Sequence, residues 1–162
     1  MESGSLSAAD SALGTLRHLW QDRGLSNAEA GMSASALNVA AKLFECIENK
    51  RVDGVAALYA EDIAVWHNFS NAEQSKADNL KTLEGLAGAV ESLRYEVTER
   101  VLLGDRVMQR HNLRCRTRSG EEFVIPACIF VTVRDGLIRR IDEYLDTGQA
   151  NRLREATARP KL

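Results

Sequence analysis

The sequence is poor in the residues that build cross-links and metal centres. It has only three cysteines, Cys46, Cys115 and Cys128, too few and too scattered for a disulfide framework. No CxxC, HxH or HExxH pattern arises among them and the three histidines, His18, His67 and His111, so there is no ready zinc ligand set. An excess of one charge is also missing. The 21 basic and 23 acidic residues leave a net charge of −2, which removes the electrostatic case for nucleic acid or an anionic membrane as partner. The basic stripe Arg114, Arg116, Arg118 lacks interleaved aromatics and reads as one exposed strand face. The longest mostly apolar run, Val124 to Val133, is about half what a membrane helix needs. The opening MESGSLSAAD has no basic stretch followed by an apolar one, so no secretory signal is expected. There is no internal repeat and no Gly-rich phosphate loop. These absences point to a reduced, cytoplasmic protein working without metal or organic cofactor.

What is present is an ordinary globular composition, 44% hydrophobic and 27% charged over 162 residues. The length fits about one domain. A chain of this size buries about 70% of its unfolded surface, enough for a core and a pocket. Residues 1–33 are rich in Ala, Ser and Gly and read as an N-terminal arm. Within it, Ser7-Ala-Ala-Asp10 is a capping-box pattern ahead of Leu13, Leu16, Leu19 and Trp20 at helical spacing. A docked helix is expected over 7–22, and a linker over 24–33.

The main domain is expected over 34–147, with a tail at 148–162. Leu37, Ala41, Phe44 and Ile47 predict a helix over 36–49, and a second short helix follows from Val52 to Tyr59. Ile63 to Phe69 reads as a strand. Ser75-Lys-Ala-Asp78 opens a third helix carrying Leu80, Leu83, Leu86 and Val90. Four long strands then follow, Arg94–Leu103, Arg106–Thr117, Glu122–Val133 and Leu137–Leu145, punctuated by Gly104-Asp105, Ser119-Gly120 and Asp135-Gly136. A last helix is placed around Gln149 to Ala156. Helices first and a strand meander after them argue an α+β fold.

The helix pair, Leu58-Tyr-Ala-Glu-Asp-Ile-Ala-Val-Trp-His67, a further helix, and strands ending in Asp135-Gly-Leu-Ile138 and Glu143-Tyr-Leu-Asp146 resemble the SnoaL-like branch of the nuclear transport factor 2-like superfamily. That superfamily includes ketosteroid isomerases and limonene-1,2-epoxide hydrolase. The resemblance covers about Ala36 to Asp146. It implies a cone-shaped, strongly curved antiparallel or mixed sheet wrapped around helices, an internal apolar pocket, and a homodimer through the outer sheet face. The same fold hosts isomerases, hydrolases, cyclases and non-enzymes, so the motifs speak for the fold more than for a reaction.

Carried over residue by residue, the ketosteroid isomerase pattern puts the base position at His67, the Tyr position at Leu43 and the acid position at Cys128. Leu43 and Cys128 therefore remove that oxyanion hole. The epoxide hydrolase pattern puts its Arg-x-Asp pair at Arg110-His-Asn112 and its second Asp at Glu143. Its water-holding pair falls near Trp66, His67 and Asn68. Asn112 can neither take nor give a proton, and is left to hold water. The resemblance thus makes His67, Arg110, Asn112 and Glu143 the catalytic candidates, with Arg110 gripping Glu143 as a fork. Trp66, Asn68, Cys128 and Phe130 are the substrate-contact candidates. Cys128 has no base nearby in the sequence and reads as a small apolar residue rather than a nucleophile.

Strand alternation reads the second long strand differently. Met108, Arg110, Asn112, Arg114 and Arg116 form a face that looks solvated, while Val107, Gln109, His111, Leu113 and Cys115 form the more apolar one. If alternation decides, Gln109 and His111 enter the site instead of Arg110 and Asn112. Two functions stay open. One is a cofactor-independent acid–base enzyme, a hydrolase or isomerase acting on a small, largely apolar molecule. The other is a binding or dimerisation module that keeps the fold without the chemistry.

Overall fold

The computed structural model describes residues 27–158, and the compact unit considered below begins at Ser35. Helix α1 runs over Asn27–Glu48 and α2 over Val52–Leu58. The stretch 27–33, expected as linker, is helical. Its Ala, Glu and Met residues are good helix formers and outweigh a single glycine. The capped helix expected over 7–22 lies outside the described residues. Ala36, Ala40, Leu43 and Phe44 form the buried face of α1 at helical spacing. Lys50, at φ 57, takes the left-handed conformation in the turn between α1 and α2. A Cβ on Gly54 would come within 2.8 Å of Cys46 Sγ, so a larger residue there would have to displace that thiol.

Strand β1 (Tyr59–His67) leads through the short β2 (Glu73–Gln74) into α3 (Lys76–Ala89). The sequence expectation started β1 later, at Ile63, and missed β2. Ser75 caps α3 as expected, accepting from the Asp78 amide while the Asp78 carboxylate accepts from Ser75. Strands β3 (Val90–Leu103), β4 (Arg106–Thr117), β5 (Glu122–Arg134) and β6 (Leu137–Leu145) form the meander, and α4 (Thr147–Ala158) follows. The β5–β6 turn uses Asp135 and Gly136, both at positive φ (53° and 76°), the backbone twist that a two-residue hairpin favours. Asp146 Oδ1 accepts from the Gln149 amide and caps α4, two residues ahead of the expected start.

The six strands are ordered β2-β1-β6-β5-β4-β3. All pairings are antiparallel except β1 with β6, which is parallel. This is the expected α+β class with a curved mixed sheet. Its inner face buries Val65, Val107, Ile129, Val131, Ile138 and Ile141 against α1 and α2. A second cluster, with Leu93, Cys115, Phe123 and Ile125, takes Leu153 of α4. Among the described residues, no helix is long and apolar enough to cross a membrane.

Candidate functional site

The inner face of the sheet and the helices over it enclose a cavity of about 310 Å³. Its walls are mostly apolar, with Leu43, Phe44, Val65, Leu83, Ile129 and Ile141 among them. Polar side chains in that lining include Tyr59, His67, Asn79, Tyr95, His111 and Glu143, with Thr82 of α3 and Asn151, Arg154 and Thr157 of α4 beside them. An apolar cavity with sparse, placed polar groups is the usual form of a small-molecule site.

His67 and Glu143 meet at its wall. They are register partners in the parallel β1–β6 ladder, so their side chains emerge on the same face. His67 Nε2 stands 3.2 Å from Glu143 Oε2, and both side chains are largely buried, at 13% and 17% exposure. His67 Nδ1 is buried and has no partner. Asn68 holds the pair in register. Its side chain donates to the Leu145 carbonyl at 3.1 Å and accepts from the Leu145 amide at 3.2 Å. Its own amide donates to the Glu143 carbonyl at 3.0 Å. The side chain thereby continues the ladder one step beyond the end of β1.

Glu143 sends its field across the cavity. Burial, and next the charge of Glu143, push the hydroxyls of Tyr59 and Tyr95 well above their ordinary pKa, so both stay neutral. The Tyr59 hydroxyl donates to Asn79 Oδ1 at 2.9 Å. Asn79 Nδ2 donates to Gln74 Oε1 at 2.9 Å, and Gln74 Nε2 donates to Thr82 Oγ1 at 3.1 Å. This chain satisfies the polar atoms that the roof of the cavity buries.

His111 is buried in the opposite wall, edge-on to Tyr95 and Phe44 with ring centroids at 4.9 and 5.6 Å. Its pKa lies below the ordinary imidazole value, first because of burial and then because of Arg100, with Glu143 opposing. Its Nδ1 lies 3.1 Å from Gln109 Nε2.

The structure divides the expected site residues into two sets. His67 and Glu143 line the cavity, and so does Leu43, at the position where the resemblance implied a tyrosine. Arg110, Asn112, Cys128, Phe130 and Trp66 lie on the outer face instead. Arg110 faces Glu99 at 3.6 Å, with 60% of its side chain exposed, and does not grip Glu143. Asn112 and Cys128 flank a shallow outer groove with Tyr144. Phe130 lies under the Arg106 guanidinium at 4.7 Å, and Trp66 packs edge-on to Tyr144 at 5.1 Å. Asn68 clips two strands together rather than lining the cavity. The cause is a register error of one residue, which moves a whole strand's side chains to the other face. Alternation decides: Gln109 and His111 face inward, and both are buried. Tyr59, Asn79 and Tyr95 were missed. Tyr59 read as the end of a helix, and Asn79 had no signal beyond its place inside a helix. Among the described residues, no three His, Cys, Asp or Glu side chains gather as a metal site.

A curved mixed sheet over helices, with an apolar cavity and an imidazole–carboxylate pair on its wall, defines a class of small-molecule pocket folds. The chain belongs to the SnoaL-like domain family, whose pattern matches residues 40–141. Among solved structures it is similar to PrhC from Penicillium brasilianum NBRC 6234, with a TM-score of 0.70 and 14% identity over 78% of this chain and 90% of that one. It is similar to an LEH-like epoxide hydrolase of M. tuberculosis, with a TM-score of 0.64 and 16% identity over 75% and 90%. It also resembles a protein of ketosteroid isomerase-like fold from Catenulispora acidiphila DSM 44928, solved with trimethylamine, with a TM-score of 0.64 and 13% identity over 75% and 97%. At such identities the likeness is one of fold. No curated protein matches the sequence.

Proposed function

We propose that this chain is a cofactor-independent acid–base enzyme of the hydrolase or isomerase/cyclase type. Its substrate is a small, largely apolar molecule held in the cavity. The observation that carries the reading is the His67–Glu143 pair at 3.2 Å in a mostly apolar chamber. In the neutral imidazole, Nε2–H donates to the carboxylate and Nδ1 keeps a lone pair. Glu143 orients the ring and stabilises the imidazolium that forms, and His67 moves the proton. The proton comes from a carbon beside a carbonyl in an isomerisation, or from water in a hydrolysis. Arg110 and Asn112, on the outer face, have no part in this scheme.

The test is turnover of a panel of enolisable ketones and epoxides by the wild type, His67→Gln and Glu143→Gln. Either variant should lower kcat about 10²- to 10⁴-fold while the fold is kept. Variants that match the wild type would sink the acid–base reading. The binding-module reading would then lead. It draws support from Leu43, an inert side chain at the position where the isomerases keep a tyrosine. The proposal includes a homodimer in the cytoplasm. Val124 and Tyr144 are large apolar residues exposed on the outer face of the meander strands, the kind of surface that a second copy covers. Light scattering at tens of micromolar should give twice the monomer mass, and a monomer mass would refute that part.

A further inference from the structure

On the cavity wall, one buried polar group remains unexplained by the His67–Glu143 pair. His111 is only 3% exposed and lines the cavity, yet its Nε2 has no hydrogen-bond partner. A buried ring nitrogen without a partner is costly, so a function for it is to be sought.

The neighbours of His111 fix which nitrogen carries the proton. Arg100 Nε donates to Gln109 Oε1 at 2.6 Å. Arginine can only donate, so the oxygen of the Gln109 amide must be the end facing Arg100. The other end, Nε2, then faces His111 Nδ1 at 3.1 Å as a donor. Nδ1 must accept, and the proton of the neutral ring is left on Nε2. Gln109 is fully buried, so water does not compete for this arrangement. A bulge in β3 makes it possible. The β3–β4 register shifts between Val97 and Glu99, after which Arg100 stands opposite Gln109. Without the bulge, Arg100 and Gln109 would not share the inner face.

We propose that His111 Nε2–H is the donor that holds an acceptor oxygen of the ligand, and that Arg100 and Gln109 are positioning residues that fix the tautomer. The ligand is therefore an uncharged, mostly apolar molecule with one carbonyl or ether oxygen. A hydrocarbon leaves the donor unpaired, and a cationic amine meets it with the wrong polarity. The proposal rests on the reading of the cavity as a small-molecule site. The burial that lowers the His111 pKa supports it, because a neutral ring keeps a single, defined donor.

Two measurements test this. The first needs no ligand: ¹⁵N NMR of the histidine side chains at pH 7. His111 should show a protonated Nε2 and a bare Nδ1, and Gln109→Leu should give a mixture of tautomers. A bare Nε2 in the wild type would overturn the proposal. The second uses 2-acetylnaphthalene and its hydrocarbon counterpart 2-isopropylnaphthalene as binding probes. The wild type should prefer the ketone about five- to tenfold, the worth of one hydrogen bond. His111→Phe should erase that preference and leave hydrocarbon binding intact, while His67→Gln should keep it. Equal binding of the two probes by the wild type would overturn this proposal and leave the acid–base reading standing. Failure of both probes to bind would overturn the cavity reading and this proposal with it. Loss of turnover in His67→Gln with the ketone preference intact would support both.

Discussion

The two faces of β4 are the most instructive contrast in the molecule. Along the inner face run Val107, Gln109, His111, Cys115 and Thr117, all buried. Along the outer face run Arg110, Arg114 and Arg116, each paired across to β3: with Glu99 at 3.6 Å, Glu96 at 2.6 Å and Glu91 at 3.1 Å. Both faces carry polar side chains, but under different physics. Outside, water screens each ion pair and leaves it worth little. Inside, every polar atom must find a partner or serve a ligand, so each placement is specific. An alternating strand thus separates a chemically committed surface from a tolerant one by a single residue.

The contrast is sharpest where the expected effect is largest. Ile138, fully buried on the inner face, should lose about 2–5 kcal/mol on replacement by Ala, read by urea unfolding. Tyr144, half exposed on the outer face of the same strand, should lose far less when replaced by Ala. Equal losses would erase the distinction between the faces.

A smaller effect should appear in the pH dependence. The His111 pKa is lowered in the folded state, so the unfolded chain takes up the proton first as pH falls. The contribution of His111 is present in full above about pH 6.5 and is lost progressively as pH drops below it. Between pH 7.5 and 5, the urea midpoint of the wild type should fall more steeply than that of His111→Gln. Parallel profiles would show that burial does not hold the ring neutral.

The smallest effect should come from the outer ladder. Arg114→Ala breaks a pair whose side chains are 52% and 37% exposed, and should cost under about 1 kcal/mol. A loss as large as that of Ile138→Ala would mean that the outer face is buried in solution, as it would be in a dimer.

Much of the fold was legible in the sequence because its signals are local. The capping box at Ser75, the Asp135-Gly136 turn and the period-2 strands of the meander each depend on residues a few positions apart, and each appears where expected except that β3 begins at Val90, which was expected in the preceding helix, and not at Arg94. The start of α1 was misplaced because Ala- and Ser-rich segments satisfy both the helix and the linker patterns. The site was legible only in part. Alternation alone placed Gln109 and His111 inside, while aligning the second long strand by family resemblance put Arg110 and Asn112 there. The helical segments gave no sign that Asn79 would be buried beneath Tyr59.

The sequence by itself determined the α+β class and the meander, because propensity and alternation act between near neighbours. Along β4 it offered two faces, and the structure chose the one with Gln109 and His111. Only the tertiary structure decided that His67 meets Glu143, since that contact needs the parallel pairing of β1 with β6 across most of the domain. It alone decided that Arg100 reaches Gln109, because a bulge shifts the register at a point the sequence does not mark. The parallel pairing and the bulge are products of how the sheet closes over its helices. That closure is set by packing among residues distant in the chain, and local periodicity does not record it.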